Sequence, residues 1–170
     1  CFRHCVDLKD VQLPAGITAI EDGVFQDCLS IDTMNLPESV SEIGNDAFGN
    51  CPELRRIKLP NDLMWIGQRA FKDCAKLTEI TLPESVRSIE EETFMGCKSL
   101  QAVNLTDNVE FVDVRAFRNC PDIDADVVTN PDAEIAPDAF DPKPEPAPEE
   151  DAARAEFETP ATSDPSDAPV

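Results

Sequence analysis

Phenylalanine returns every 23 residues along this chain, at Phe2, Phe25, Phe48, Phe71, Phe94, Phe117 and Phe140. Cysteine keeps the same step at Cys5, Cys28, Cys51, Cys74, Cys97 and Cys120. An isoleucine column (Ile20, Ile43, Ile66, Ile89, then Val112 and Ile135) holds that register too. So does a Leu-Pro column at Leu13, Leu36, Leu59 and Leu82, which relaxes to Leu105-Thr106. No insertion or deletion is needed to align them. A period between about 20 and 50 residues marks an array of stacked units. One such unit cannot bury its own apolar face, so neighbours must share a continuous core.

The unit from Leu77 to Cys97 shows how each repeat is built. Leu77, Ile80 and Leu82 have L-x-x-L-x-L spacing, and from Ile80 apolar and polar residues alternate as in a short strand with one face inward. Pro83, lacking an N–H, ends that strand. Val86 and Ile89 predict a second inward pair in a second extended segment. Phe94 and Cys97, three apart, predict a helical turn that closes the corner before Leu100.

These columns resemble the BspA-like (treponemal-type) class of leucine-rich repeats, whose units read LxxLxLPxxLxxIgxxAFxxCxxL. Ala47-Phe48 with Cys51, Ala70-Phe71 with Cys74, and Ala116-Phe117 with Cys120 carry its AFxxC signature; Gly44 and Gly67 match the glycine after the isoleucine. The resemblance covers residues 1–140 and implies a repeat solenoid, a leucine-rich-repeat arc with a parallel β-sheet on its concave face. About five full units plus partial end units are expected. The resemblance also implies protein binding or adhesion on cell surfaces or outside the cell, and brings no catalytic residues with it. An intracellular scaffold or regulatory repeat domain attached to other domains is the second reading. Repeats that present a separate enzyme domain are the third.

Both ends are placed by the same register. Cys1 falls in the small-residue column of Val24, Ala47, Ala70, Thr93, Ala116 and Ala139, which predicts a cut through a repeat with further units or a cap upstream. Toward the other end, Asp126 replaces the column of Met34, Ile57 and Ile80, and Asp132 that of Val40, Leu63 and Val86. Carboxylates at core positions predict a terminal cap. Residues 141–170 are rich in Pro, Ala and acid, with nine acids against two bases and seven prolines, and predict a disordered acidic tail.

The formal charge of −21 divides into −7 on that tail and −14 on the repeats. An acidic body disfavours nucleic acid, which demands a basic face, and no apolar run is long enough to cross a membrane as a helix. His4 is the single histidine, and no phosphate-loop, dinucleotide, zincin or nucleophile-elbow motif occurs. No catalytic, cofactor-binding or metal-ligating residue is therefore assigned. Asp122, Asp124 and Asp126 alternate but lack the glycine and glutamate of a calcium loop. The cysteine row reads either as small buried thiols or as disulfide partners; equivalent side chains in a stack point the same way, which favours thiols. Asn104-Leu105-Thr106 is a glycosylation sequon that matters only in a secreted eukaryotic chain.

Function then rests on the columns that fail to repeat. Along the first strand, the outward residues include Asn35, Arg56, Lys58, Glu79 and Thr81, a polar face with a local basic spot. Along the second segment, Met64, Trp65 and Phe111 are large and apolar where other units carry small or polar residues. These eight are the candidate contacts for a protein or glycan ligand. An ordinary solvated sheet face, and cover for an edge or upstream structure, are the structural alternatives.

Overall fold

The computed structural model describes residues 1–142. The expected acidic tail, from residue 143 onward, lies outside the described residues. Short strands follow one another as β1 (Ala19–Ile20), β2 (Thr33–Asn35), β3 (Glu42–Ile43), β4 (Arg56–Lys58), β5 (Trp65–Ile66), β6 (Glu79–Thr81), β7 (Ser88–Ile89), β8 (Ala102–Asn104), β9 (Phe111–Val112) and β10 (Glu134–Ile135). All pairing is parallel with a register step of 23: Ile57 lies opposite Met34, and Ile66 opposite Ile43. Each unit thus makes one coil of a solenoid. β2, β4, β6 and β8 stack along one face, and β1, β3, β5, β7, β9 and β10 along another.

The alternation read from sequence is the alternation observed. In β2, β4, β6 and β8 the middle residue is buried and its two neighbours are exposed. Each of these strands stops one residue before the Leu of the Leu-Pro or Leu-Thr pair. The corner closes in a single turn, as the spacing predicts: Cys97 N donates to Phe94 O at 3.2 Å, and the chain turns again at once. The second residue after each Phe keeps the turn from continuing as a helix. Asp27, Asn50, Asp73 and Asn119 have φ of 60°, 56°, 58° and 61°, which no right-handed helix accommodates. Asp and Asn tolerate that left-handed region better than other non-glycine residues.

Three sets of interactions converge at this corner ridge. The phenylalanine rings stack with centroids 5.2–5.5 Å apart and planes within 13°. Each buried cysteine donates its thiol to the Phe carbonyl of the preceding unit, as from Cys51 to Phe25 and from Cys97 to Phe71, both at 3.2 Å. All seven cysteines are free thiols. Backbone rungs run beside them: Phe48 N to Ala70 O at 2.8 Å, Phe71 N to Thr93 O at 2.9 Å, Phe94 N to Ala116 O at 2.9 Å. A charged column follows the ridge. Asp46, Arg69, Glu92 and Arg115 alternate in sign, with Arg69–Asp46 at 3.1 Å and Arg115–Glu92 at 3.0 Å.

Both sheets lose a rung at one place. β4 and β6 are adjacent but unpaired, and so are β5 and β7. The bond from Thr78 N to Arg55 O stretches to 3.4 Å, whereas its equivalents from Arg55 to Asp32 and from Gln101 to Thr78 measure 2.8 and 2.9 Å. Gly44, Gly67, Asp113 and Ala136 each donate N–H to the unit behind, at 2.7–2.9 Å; among the described residues Glu90, their equivalent, makes no such bond. The column itself changes here, from Gly44 and Gly67 to Glu90, Asp113 and Ala136. A Cβ on Gly67 would stand 2.7 Å from Asn45 N and 2.8 Å from the Gly44 carbonyl carbon, so only bare backbone nests that closely. Glu90 is the first residue of this column after the two glycines, and the seam coincides with that change; Asp113 and Ala136 beyond it carry a Cβ and still make the bond. Side-chain rungs change with it: Asn45 and Gln68 amides bond to the Oδ1 of Asp22 and Asn45 (2.7 and 2.9 Å), while beyond the seam Val114 N turns to Asp113 Oδ1. The ridge rungs cross the seam unbroken.

The last described unit departs from the repeat at the positions where the sequence places carboxylates in the core columns. A 3-10 turn, Ala125–Val127, takes the place of a strand, with Asp126 exposed and Asp124 Oδ1 accepting from Asp126 N at 3.0 Å. At the ridge, Asn119 N finds the carboxylate of Asp141 (3.0 Å) where earlier units offer a backbone carbonyl.

Two outcomes are expected. Gly67→Ala should lower stability by about 1–3 kcal/mol, read from urea unfolding, because backbone must shift to admit the methyl group. Burial pushes the Cys51 thiol from 9.0 up to about 12, and Cys74 and Cys97 are raised well above the same value. These thiols stay protonated in the fold while the unfolded chain ionises. Their contribution is therefore complete below pH 9 and declines as pH rises from there toward 12. Unfolding midpoints should fall on the order of 1 kcal/mol per pH unit for each thiol, and Cys74→Ala should flatten that slope.

Candidate interaction faces

The first face is made by the outward residues of β2, β4, β6 and β8. A shallow cleft of about 560 Å³ lies where β4 and β6 part, lined among others by Asn35, Arg56, Lys58, Glu79 and Thr81. The five polar candidates read from sequence thus share one surface. Their electrostatics are finer than a basic spot. Lys58 Nζ donates to Glu38 at 2.9 Å, and that hydrogen bond holds the Glu38 carboxyl below the usual carboxylate range. Arg56 is exposed and makes no ion pair among the described residues. The available cation on this face is Arg56. Thr81 Oγ1 accepts from Asn104 Nδ2 at 3.1 Å, which fixes the neighbouring rung.

The second face is formed by the odd-numbered strands and β10. Met64, Trp65 and Phe111 are exposed there by 59%, 37% and 47%. Trp65 lies opposite Glu42, and Phe111 lies between Ser88 and Glu134 in the pairing register. Ser88 is the small residue separating the two aromatic layers. A second cleft, about 580 Å³, is lined by Ser88, Glu90, Phe111, Asp113 and Glu134 together with Ile89, Val112, Ile135 and Ala136. Trp65 and Met64 sit on the other side of the seam. The three carboxylates were not singled out from sequence. Their signal was available: Glu90 and Asp113 stand in the column that Gly44 and Gly67 occupy in earlier units.

Other candidate chemistry is dispersed. His4 Nδ1 lies 3.1 Å from Asp27 at an exposed position. Among the described residues no three His, Cys, Asp or Glu side chains assemble as a metal site, and no helix is long and apolar enough to cross a membrane.

Comparison with known proteins follows this geometry. A profile described as "BspA type Leucine rich repeat region" matches residues 1–124 in six copies. A leucine-rich repeat protein of Treponema pallidum is similar at 33% identity and TM-score 0.66, over 72% of this chain and 57% of that one. A leucine-rich cell surface protein of Faecalibacterium prausnitzii is similar at 30% identity and TM-score 0.65, over 68% of this chain and 31% of that one. A leucine-rich repeat protein of Eubacterium ventriosum shares the fold at 23% identity and TM-score 0.70, over 82% and 38%. This chain spans between about a third and three fifths of these proteins' lengths. No curated protein matches it. The 23-residue coil, its AFxxC ridge and the matched profile place the chain in the BspA-type leucine-rich repeat family.

Proposed function

We propose that this chain is a non-catalytic protein-binding or adhesion module of a cell-surface or secreted protein. The single observation that carries the reading is the division of labour within each strand. The middle residues of β2, β4, β6 and β8 stay buried and apolar (Met34, Ile57, Ile80, Val103), while the exposed pairs flanking them change from unit to unit (Thr33 and Asn35, Arg56 and Lys58, Glu79 and Thr81, Ala102 and Asn104). A surface free to vary over a uniformly apolar core is what selection for a partner can shape. Similarity to the leucine-rich cell surface protein of Faecalibacterium prausnitzii supports the location.

The contacts are assigned to Asn35, Arg56, Lys58, Glu79 and Thr81 on the first face, and to Met64, Trp65 and Phe111 on the second. Protein is preferred to glycan because Met64 and Trp65 add an apolar surface of the kind enriched in protein interfaces. The test is direct. Proteins captured by the intact chain from an extracellular extract are identified, and their affinity is then measured against Trp65→Ala and Arg56→Glu. At least one variant should lose about 1 kcal/mol or more of binding while keeping its circular dichroism and unfolding midpoint. Unchanged affinity in both would remove these faces from the site.

A further inference from the structure

The second face carries a run of carboxylates that the cations near it do not match. Elsewhere several cations are engaged, Arg55 with Asp32, Lys58 with Glu38, Arg69 with Asp46, Lys72 with Glu92, Lys76 with Glu53 and Arg115 with Glu91, although Arg56 and Glu79 on the first face make no ion pair among the described residues. Around Phe111 the match fails. Residues 41–44, 64–67, 87–90, 110–113 and 133–136 hold five acids, Glu42, Glu90, Glu110, Asp113 and Glu134, and one base, Arg87. That base is already engaged with Glu110 at 2.8 Å. Among the described residues no cation pairs with Glu90, Asp113 or Glu134. These are the three carboxylates that line the cleft beside Phe111.

The shape of the cleft fits the charge. Ser88 is a small residue next to Phe111, and Trp65 stands one unit further on, so the two aromatic layers are separated by about 10 Å at strand spacing. Ser88 Oγ donates to Glu90 Oε1 at 2.6 Å, which holds that carboxylate at the side of the notch. An exposed aromatic face ringed by unpaired carboxylates is complementary to a cation with an apolar body. Guanidinium suits it best, because it is planar, weakly hydrated and stacks on aromatic rings.

We infer that this face docks an arginine-bearing, extended segment of a protein partner, with the guanidinium over Phe111 and among Glu90, Asp113 and Glu134. The inference rests on the protein-binding reading above and names the partner chemistry of its second face. Trp65, the only tryptophan of the chain, reports on occupancy.

The experiment titrates the intact chain with a capped Gly-Ser peptide carrying two arginines, following Trp65 fluorescence. A peptide with glutamine in place of both arginines is the control. Saturable binding of the arginine peptide is expected, with the glutamine peptide much weaker. Phe111→Ala, which places in unit five the alanine that Ala19 already supplies in the same column, should weaken binding about fivefold. Glu134→Gln should weaken it as well. Asp62→Asn, at an exposed position assigned to neither face, makes the same charge change and should leave the affinity within about twofold. Equal binding of the glutamine peptide would overturn the inference in favour of a general apolar groove. Equal losses in Glu134→Gln and Asp62→Asn would overturn it in favour of diffuse charge, and no loss in Phe111→Ala, or no saturable binding, would overturn it outright. If the arginine peptide fails while Trp65→Ala or Arg56→Glu still impairs a captured partner, only the assignment of chemistry falls and the protein-binding reading stands.

Discussion

The corner ridge is the constraint on which the rest of the molecule depends. Each unit offers one Phe ring, one thiol and a pair of backbone N–H groups to its neighbours, and all of them repeat at the same step. Rings within 5.5 Å contribute dispersion and exclude water. The thiol gives the buried Phe carbonyl a donor without bringing in a strongly hydrated group. The alternating charges of Asp46, Arg69, Glu92 and Arg115 lie outside this core and favour the same alignment. A slip by one residue would break every one of these matches together, so the register is fixed here and the short strands inherit it.

The seam between the third and fourth stacked units shows that inheritance. Two-residue and three-residue strands carry few hydrogen bonds, so they part readily. At the seam Glu90 stands where the two preceding units have Gly44 and Gly67, and both sheets open there while the ridge continues. The same residue supplies a carboxylate to the Phe111 cleft. A change in packing and a change in surface chemistry thus fall at one departure from the repeat.

Much of this was legible in the sequence, because a solenoid converts periodicity directly into contacts. The Phe, Cys, Ile and Leu-Pro columns identified the coil, the strands around Ile57 and Ile80, and the departure from the repeat around Asp126. Outward exposure of Arg56, Glu79, Trp65 and Phe111 followed from strand alternation. What was not legible depended on backbone conformation or on relations between units. The single turn at Phe94 followed from the three-residue spacing, but the positive φ two residues after each Phe, at Gly96 as at Asp73 and Asn119, which stops it from continuing, is a matter of backbone conformation. The pairing of Lys58 with Glu38 spans a coil and could not be read from neighbours in sequence. Glu90 and Asp113 were visible only as departures from the glycine column, Glu134 was hidden among many acids, and their common cleft brings the three together.

Residue-resolved native-state hydrogen exchange tests most directly whether the ridge, and not the sheets, holds the stack together. The amides of Phe48, Phe71 and Phe94 should share slow exchange across the seam, because their rungs to the next unit are intact. The amide of Glu90 should exchange much faster than those of Gly67 and Asp113, its equivalents on either side. Protection of Glu90 equal to theirs, or fast exchange at Phe71, would contradict the account.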